Sequence, residues 1–202
     1  NFKIFRDYSF AALGRFDYTK QDCFAFHDVV KTEMLSAIRL IVEQRKKQLK
    51  VDVLRPWHMD VDPQQLEPLK SFEDIHDLIK KTIACFRAIH PYFAACIQVM
   101  QDLKHLDLDS RKGKAPGGFN YPLFETGVPF IYMNSAGTLR DVVTMVHEGG
   151  HAVHSFLTND LPIDDLKSFT SEVAELASMS MELISMEHWD VFFKNEKDLK
   201  RA

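Results

Sequence analysis

The sequence has few cysteines, little net charge and no long apolar run, and each scarcity limits what the protein can be. Cys23, Cys85 and Cys96 are widely spaced and form no Cys-x-x-Cys pair, which excludes a disulfide framework and a cysteine-based zinc site. We interpret them as small apolar residues in a reducing cytosol. A net charge of -4 gives no reason to expect nucleic acid as a partner. No apolar run reaches the roughly 18 residues of a membrane span, so no membrane is expected either.

What the sequence does contain is typical of a packed globular protein. It has 202 residues, 46% of them hydrophobic, and includes 16 phenylalanines, enough for one domain or for part of a larger one. The aromatic residues between Phe2 and Tyr18 indicate a buried lead-in. The chain begins with Asn1 and shows no signal peptide, so we expect a processed chain or a fragment of a longer protein.

Helical periodicity dominates and predicts a mainly α, multi-helix fold with a small β element. Helices are expected over residues 22–50, from Ser71 with a capping box to about residue 89, and over residues 91–106. The basic run at residues 45–47 is interpreted as a solvated helix end rather than an anion site. Two short strands are expected near residues 118–121 and 130–134. The chain is thus one region with a helical part (1–110), a β element (111–137) and further helices (138–202).

The most informative motif lies in a helix predicted from Thr138, with Asp141 completing its capping box, to about residue 158. Here His147, Glu148 and His151 form the His-Glu-x-x-His pattern of zinc peptidases. Residues four apart on a helix project from one face, so both imidazoles can bind one cation. Glu148 lies about 100° around the helix from His147, where it can contact a metal-bound water and act as general base.

Two glycines interrupt this helix beside the motif. Gly149 and Gly150 each cost about 1 kcal/mol relative to alanine in a helix interior. We therefore expect bare helix surface to be needed there, so that another backbone or a substrate can approach closely.

The remaining ligand must come from elsewhere, because a catalytic zinc usually has three protein ligands and one water. His154 lies two turns beyond His147, roughly 10 Å along the axis, which is too far to share the ion. We expect His154 to pack, or to support the ligands from behind. The metzincin pattern needs glycine at position 154 and histidine at position 157, where this chain has His154 and Leu157, so that class is excluded.

A carboxylate from the next predicted helix, residues 168–188, is the expected third ligand. Glu172 and Glu175 share a face of that helix. Glu175 lies among apolar residues, where a buried acid is unfavourable unless a cation compensates it, so we favour it as the ligand. Glu172, near the helix start, complements the helix dipole and could orient a ligand histidine. It remains the alternative ligand.

These segments together resemble the oligoendopeptidase F group of the thimet-oligopeptidase-like zinc metallopeptidases, which are of gluzincin type. Residues 147–155 resemble the family's His-Glu-x-Gly-His-x-x-His-Ser helix, and residues 173–178 resemble its ligand-glutamate segment. Residues 111–119 and 129–134 are similar to the glycine-rich and strand segments that precede the zinc helix. Residues 54–63 extend the similarity into the N-terminal half.

The resemblance implies a helical fold with a small β-sheet, one zinc ion per chain and an endopeptidase that cleaves short peptides in a deep channel. The cysteine usage predicts that this enzyme is cytoplasmic. By position, it assigns zinc binding to His147, His151 and Glu175 and the role of general base to Glu148. It also implies that the substrate strand runs along three residues of the glycine-rich segment, Gly117, Gly118 and Phe119.

The chain departs from the family pattern near its end. Family members carry a His- and Tyr-rich segment after the ligand glutamate that stabilises the oxyanion, and this chain has no tyrosine after Tyr132. We therefore expect N- and C-terminal segments of the same enzyme to be missing, and the fragment alone to be weakly active or inactive. The alternatives are a non-catalytic zinc- or peptide-binding fragment and a purely structural helical domain.

Overall fold

A computed structural model describes residues 2–59, 61–64 and 66–202. The chain forms two compact units, and the boundary between them in the sequence falls between Pro68 and Leu69. Asn1, in the predicted lead-in, and Asp60, in the segment 54–63, lie outside the described residues. Among the described residues, no helix combines the length and the apolarity that crossing a membrane requires.

The N-terminal unit consists of helices whose described side chains are all at least partly exposed. Its elements are α1 (Phe5–Ala12), α2 (Lys20–Val29), a π-helical turn (Val30–Met34) and α3 (Leu35–Leu49). The predicted long helix is thus confirmed, with the π-helical turn in its middle. The expectation of a buried lead-in is wrong, because Phe5 and Phe16 are 79% and 80% exposed.

The loop after α3 is held by the first residue of the basic run. The guanidinium of Arg45 donates hydrogen bonds to the backbone carbonyls of His58, Met59 and Val61, at 2.6 to 3.0 Å. Lys46 pairs with Glu43 at 3.0 Å. Arg45 is therefore not the solvated residue that was expected, because it binds the following loop, whereas Lys46 lies at the helix surface as predicted.

The C-terminal unit is mainly helical with one small sheet, as the sequence predicts. Its elements are α4 (Ile75–Ile89), α5 (Pro91–Asp102), β1 (Leu106–Asp109), β2 (Phe119–Tyr121), β3 (Phe130–Ser135), α6 (Leu139–Thr158), α7 (Asp164–Lys167), α8 (Ser171–Ser185) and α9 (Glu196–Leu199). The sheet has the order β1-β3-β2, with β1 parallel and β2 antiparallel to β3. β1 lies before the predicted β element of residues 111–137.

Helix α4 starts later than predicted. Its N-cap is Asp74, whose side chain accepts a hydrogen bond from the backbone of Asp77 at 2.8 Å. Ser71, the predicted cap, is fully buried, and its carbonyl accepts a hydrogen bond from Lys81. The capping box was therefore placed one turn too early.

The hydrophobic core is formed where α4, α5, β3 and α6 meet. The buried aliphatic residues of α6 and Met145 recur at helical spacing, at positions 142, 145, 146, 152 and 153, so this helix presents an apolar face to the core. The largest fully buried side chains of this region include Phe86, Ile97, Ile131, Met133 and Met145. This packing leaves a neighbouring face of α6 to carry the polar motif.

A buried lysine fixes the loop that leads from β1 to β2. The Lys114 ammonium donates hydrogen bonds to the carbonyls of Asp107, Asp109 and Met133 at 2.5 to 2.9 Å, and its side chain is 2% exposed. Asp107 also accepts two hydrogen bonds from Arg111. These contacts, Arg111 first and Lys114 next, lower the pKa of the Asp107 carboxyl to about 2. The loop is thereby tied to both β1 and β3.

Candidate metal centre and cleft

Helix α6 places the motif residues as its period requires. Thr138 and Asp141 form the predicted capping box, in which the Asp141 carboxylate accepts from the backbone N–H of Thr138 at 2.7 Å. One turn apart on this helix, the rings of His147 and His151 have centroids 4.8 Å apart and are nearly perpendicular, at 86°. Both imidazoles can therefore turn a nitrogen towards the same point.

Helix α8 brings Glu175 to that point. Its carboxylate oxygens lie 3.4 Å from Nε2 of His147 and 3.9 Å from Nε2 of His151, and one ligand atom from each of the three residues lies within 4.8 Å of the others. Two atoms bound to one tetrahedral zinc at about 2.1 Å would be roughly 3.4 Å apart. The spacing and the two-nitrogen, one-oxygen donor set both fit a zinc ion.

The environment of Glu175 differs from the expected one. Its side chain is 53% exposed, so the expectation of a buried acid that needs a cation is wrong. The Glu175 side chain lines an open cleft instead. Glu172, the alternative ligand, is exposed in the first turn of α8 and is not part of the three-residue group.

Glu148 is the buried acid of the site, with 6% of its surface exposed. Burial raises the pKa of its carboxyl above the ordinary value, the charge of His147 lowers it, and the charge of Glu175 raises it again. The backbone N–H of Asn120 in β2 also lowers this pKa, as the smallest of these effects. A carboxylate with a raised pKa beside a metal centre is suited to accept a proton.

His151 and His154 lie in different environments. Burial lowers the pKa of His151 below its ordinary value, which favours the neutral imidazole that binds metals. Burial also lowers the pKa of His154, whose ring stacks on Phe169 with centroids 4.0 Å apart. His154 Nδ1 is buried without a hydrogen-bond partner among the described residues. His154 is thus placed in packing, on the wall formed by Phe169.

The two glycines of α6 are sites of close approach. A Cβ atom on Gly150 would lie 2.8 Å from Ser178 Cα and 3.2 Å from the carbonyl oxygen of Ala177, so the backbone of α8 occupies that space. A Cβ atom on Gly149 would lie 2.7 Å from the buried ring of Phe86 in α4. The expectation that another backbone approaches this surface is confirmed at Gly150.

Replacing Gly150 with alanine is expected to destabilise the chain, although alanine is the better helix former. Helix propensity favours alanine by about 1 kcal/mol, whereas overpacking a close contact costs about 1 to 3 kcal/mol. Because the clash is with the α8 backbone, we expect a net loss near 1 kcal/mol in the free energy of unfolding, measured by urea denaturation. A Gly150→Ala chain more stable than wild type would contradict the close approach.

A further carboxylate contacts the centre and was not anticipated. Glu182 Oε1 lies 2.6 Å from Nδ1 of His147. The role of orienting a ligand histidine was predicted for Glu172, which lies about three turns earlier on α8. The available signal was spacing, because Glu182 follows Glu175 by seven residues, two helical turns, and so projects from the same face.

An open cleft of about 380 Å³ lies in front of these residues. Its lining includes Gly118, Phe119, Asn120, His147, Glu148, His151, Phe169 and Glu175. Gly118 and Phe119 thus line the cleft, and their contact with a substrate strand stays a prediction.

Gly117 is not among the residues that line the cleft. It has a φ of +106°, which favours glycine. Its carbonyl accepts a hydrogen bond from the Asn134 side chain.

Strand β2 forms one wall of the cleft and is an edge of the sheet. Within the part of the chain that the structure describes, it pairs with β3 on one side only. Phe119 stacks on Tyr132 of β3 with ring centroids 4.9 Å apart. A Cβ atom on Gly118 would lie 3.5 Å from Glu148 Oε1. Gly118, the residue before β2, thus lies directly beside the acid.

Comparison with known proteins agrees with the geometry. The model of peptidase family M3 matches residues 1–202. Oligopeptidase PepF of Bacillus subtilis (strain 168) is 25% identical over 166 residues, covering 81% of this chain and 24% of that protein. The oligoendopeptidase F homolog of Borreliella burgdorferi is 28% identical over 176 residues, covering 84% of this chain and 28% of that protein.

A solved structure extends the agreement to the fold. PZ peptidase A with inhibitor 2 superposes with a TM-score of 0.92 at 26% identity, over 100% of this chain and 35% of that one. The chain spans about a quarter of the length of the curated relatives and about a third of the solved one.

Proposed function

The chain belongs to peptidase family M3, and from that membership we propose that it is the metal-binding part of a zinc-dependent endopeptidase that hydrolyses short oligopeptides. The observation that carries the proposal is the group formed by His147, His151 and Glu175, with one ligand atom of each within 4.8 Å of the others. Two histidines and one glutamate are a common ligand set for catalytic zinc. We assign these three residues as the ligands of one ion per chain.

The reaction is peptide hydrolysis with Glu148 as the base. A bound zinc ion supplies Lewis acidity, which makes water a better nucleophile and polarises a carbonyl. Glu148 accepts the proton of the attacking water and returns it to the leaving amine. Burial raises the pKa of this carboxyl, and Glu148 lines the cleft together with the two histidines and Glu175.

The substrate would lie in the cleft as an extended peptide. An exposed sheet edge can bind such a peptide through backbone hydrogen bonds, and β2 offers its free edge beside Glu148. Phe119 and Phe169 provide apolar surface on the cleft walls. This mode favours short unstructured peptides, because a folded protein does not offer an extended backbone. We place the enzyme in the cytoplasm.

Other parts of the full enzyme would complete the site. The relatives are about three to four times longer than the matched region, and we propose that further segments supply oxyanion donors and close the channel. Removing one oxyanion donor costs about 10²- to 10³-fold in rate in other hydrolases. Slow cleavage by this chain alone is therefore compatible with the proposal.

The proposal predicts stoichiometric, reversible zinc dependence. The chain stripped with a chelator should bind one zinc ion per molecule, measured by metal analysis after gel filtration. Cleavage of a quenched fluorescent peptide library should disappear with the chelator and return when zinc is added. A chain with no affinity for zinc would refute the proposal. Zinc binding without any cleavage would favour the non-catalytic zinc- or peptide-binding alternative.

A further inference from the structure

The His147 ring lies between two carboxylates of one helix. Glu175 and Glu182 are seven residues apart on α8, so they differ by only about 20° around the axis and by roughly 10 Å along it. Nε2 of His147 is 3.4 Å from Glu175, and Nδ1 is 2.6 Å from Glu182. Each nitrogen of this imidazole therefore has its own acid.

The contact with Glu182 determines which nitrogen carries the proton. An ionised carboxylate can only accept a hydrogen bond, so Nδ1 must donate, and the distance of 2.6 Å is that of a short, charge-assisted bond. In a neutral ring with its proton on Nδ1, the lone pair is on Nε2, the atom that points towards Glu175. We infer that Glu182 is a positioning residue that holds His147 in the Nδ1–H tautomer and directs Nε2 towards the metal.

Two features separate this role from an ordinary surface ion pair. Both partners are partly buried, with 24% of the His147 and 30% of the Glu182 side chain exposed. Among the described residues, the ring of His151 has no comparable second carboxylate, and its nearest acid is Glu175 at 3.9 Å. The orientation of His147 is therefore fixed by α8, whereas His151 depends on burial.

This inference rests on the proposed function, and its test separates the two. Glu182→Ala removes the acceptor, and Glu182→Gln keeps an amide oxygen that can still accept from Nδ1–H. Partners of this kind typically contribute about 10- to 100-fold to metal affinity. We expect a loss of that size for Glu182→Ala in competition with a zinc indicator, and a smaller loss for Glu182→Gln. Glu187→Ala, an exposed acid five residues further on, is the matched control and should bind like wild type.

A second readout needs no metal. Long-range proton–nitrogen spectra of the metal-free, histidine-labelled chain at pH 8 report the tautomer directly. His147 should be Nδ1–H in wild type and in Glu187→Ala, and should gain the Nε2–H form in Glu182→Ala. Equal melting temperatures of the metal-free variants would show that the fold is retained.

The outcomes are distinguishable. Unchanged zinc affinity and tautomer in Glu182→Ala would overturn the inference while leaving the proposed function intact. A wild-type chain without zinc affinity would overturn the proposed function, and the tautomer spectra would still decide the role of Glu182.

Discussion

Glu148→Gln is expected to lower kcat/KM for peptide hydrolysis by about 10²- to 10⁴-fold, the range that general acid–base catalysis contributes. The amide of glutamine cannot accept the proton of the attacking water, although it has nearly the same shape as the carboxylate. Because Glu148 is not one of the three clustered groups, zinc affinity should change little. Peptide cleavage and zinc binding should be measured on the same zinc-loaded preparation.

The substitution is also a conservative one for the fold. Glu148 is buried, and glutamine has nearly the same volume and shape, so it should fit this position without overpacking or leaving a cavity. Glu187→Gln removes an equal charge from an exposed position and should retain full activity. Equal cleavage by wild type and Glu148→Gln would show that another group acts as the base.

Local features of the sequence were enough to predict helix α6. Thr138 and Asp141 satisfy the backbone groups at the helix start, and the apolar residues recur at helical spacing over twenty positions. Both signals involve residues only three or four apart. The helix therefore begins and ends within one residue of the prediction, and the motif residues share a face as expected.

Strand β1 was not predicted because its partner is distant in sequence. Leu106 to Asp109 alternate as a strand does, but they directly follow a helical pattern that predicts a helix to residue 106, whereas α5 ends at Asp102. The strand forms by parallel pairing with β3, in which Leu106 is opposite Ile131. No feature of the sequence near residue 106 indicates that this segment pairs with β3.

The candidate site was only partly predictable for a similar reason. Spacing within one helix brings His147 and His151 together, whereas the positions of Glu175 and Glu182 depend on how α8 packs on α6. That packing requires a residue without a side chain at Gly150, where the α8 backbone comes close. The sequence therefore predicted Glu175 but not its exposure, and it missed Glu182.

The choice of the third ligand leads to the second large effect, because Glu175→Gln is expected to weaken zinc binding by more than about 100-fold. The carboxylate oxygens of Glu175 are 3.4 Å and 3.9 Å from the two imidazole nitrogens, close to the separation of ligands that share one ion. A neutral amide is a poorer zinc ligand than a carboxylate. Loss of a ligand should exceed the roughly 10- to 100-fold effect of losing a supporting residue.

Glu172→Gln is the matched comparison, since it removes the same charge from the same helix three residues earlier. Glu172 is not part of the group around the two imidazoles, so we expect its replacement to change zinc affinity by less than about threefold, through the long-range electrostatic effect of one exposed charge. Both variants should be titrated against a competing chelator at one ionic strength. A larger loss in Glu172→Gln than in Glu175→Gln would move the ligand to Glu172 and would require α8 to turn in the metal-bound protein.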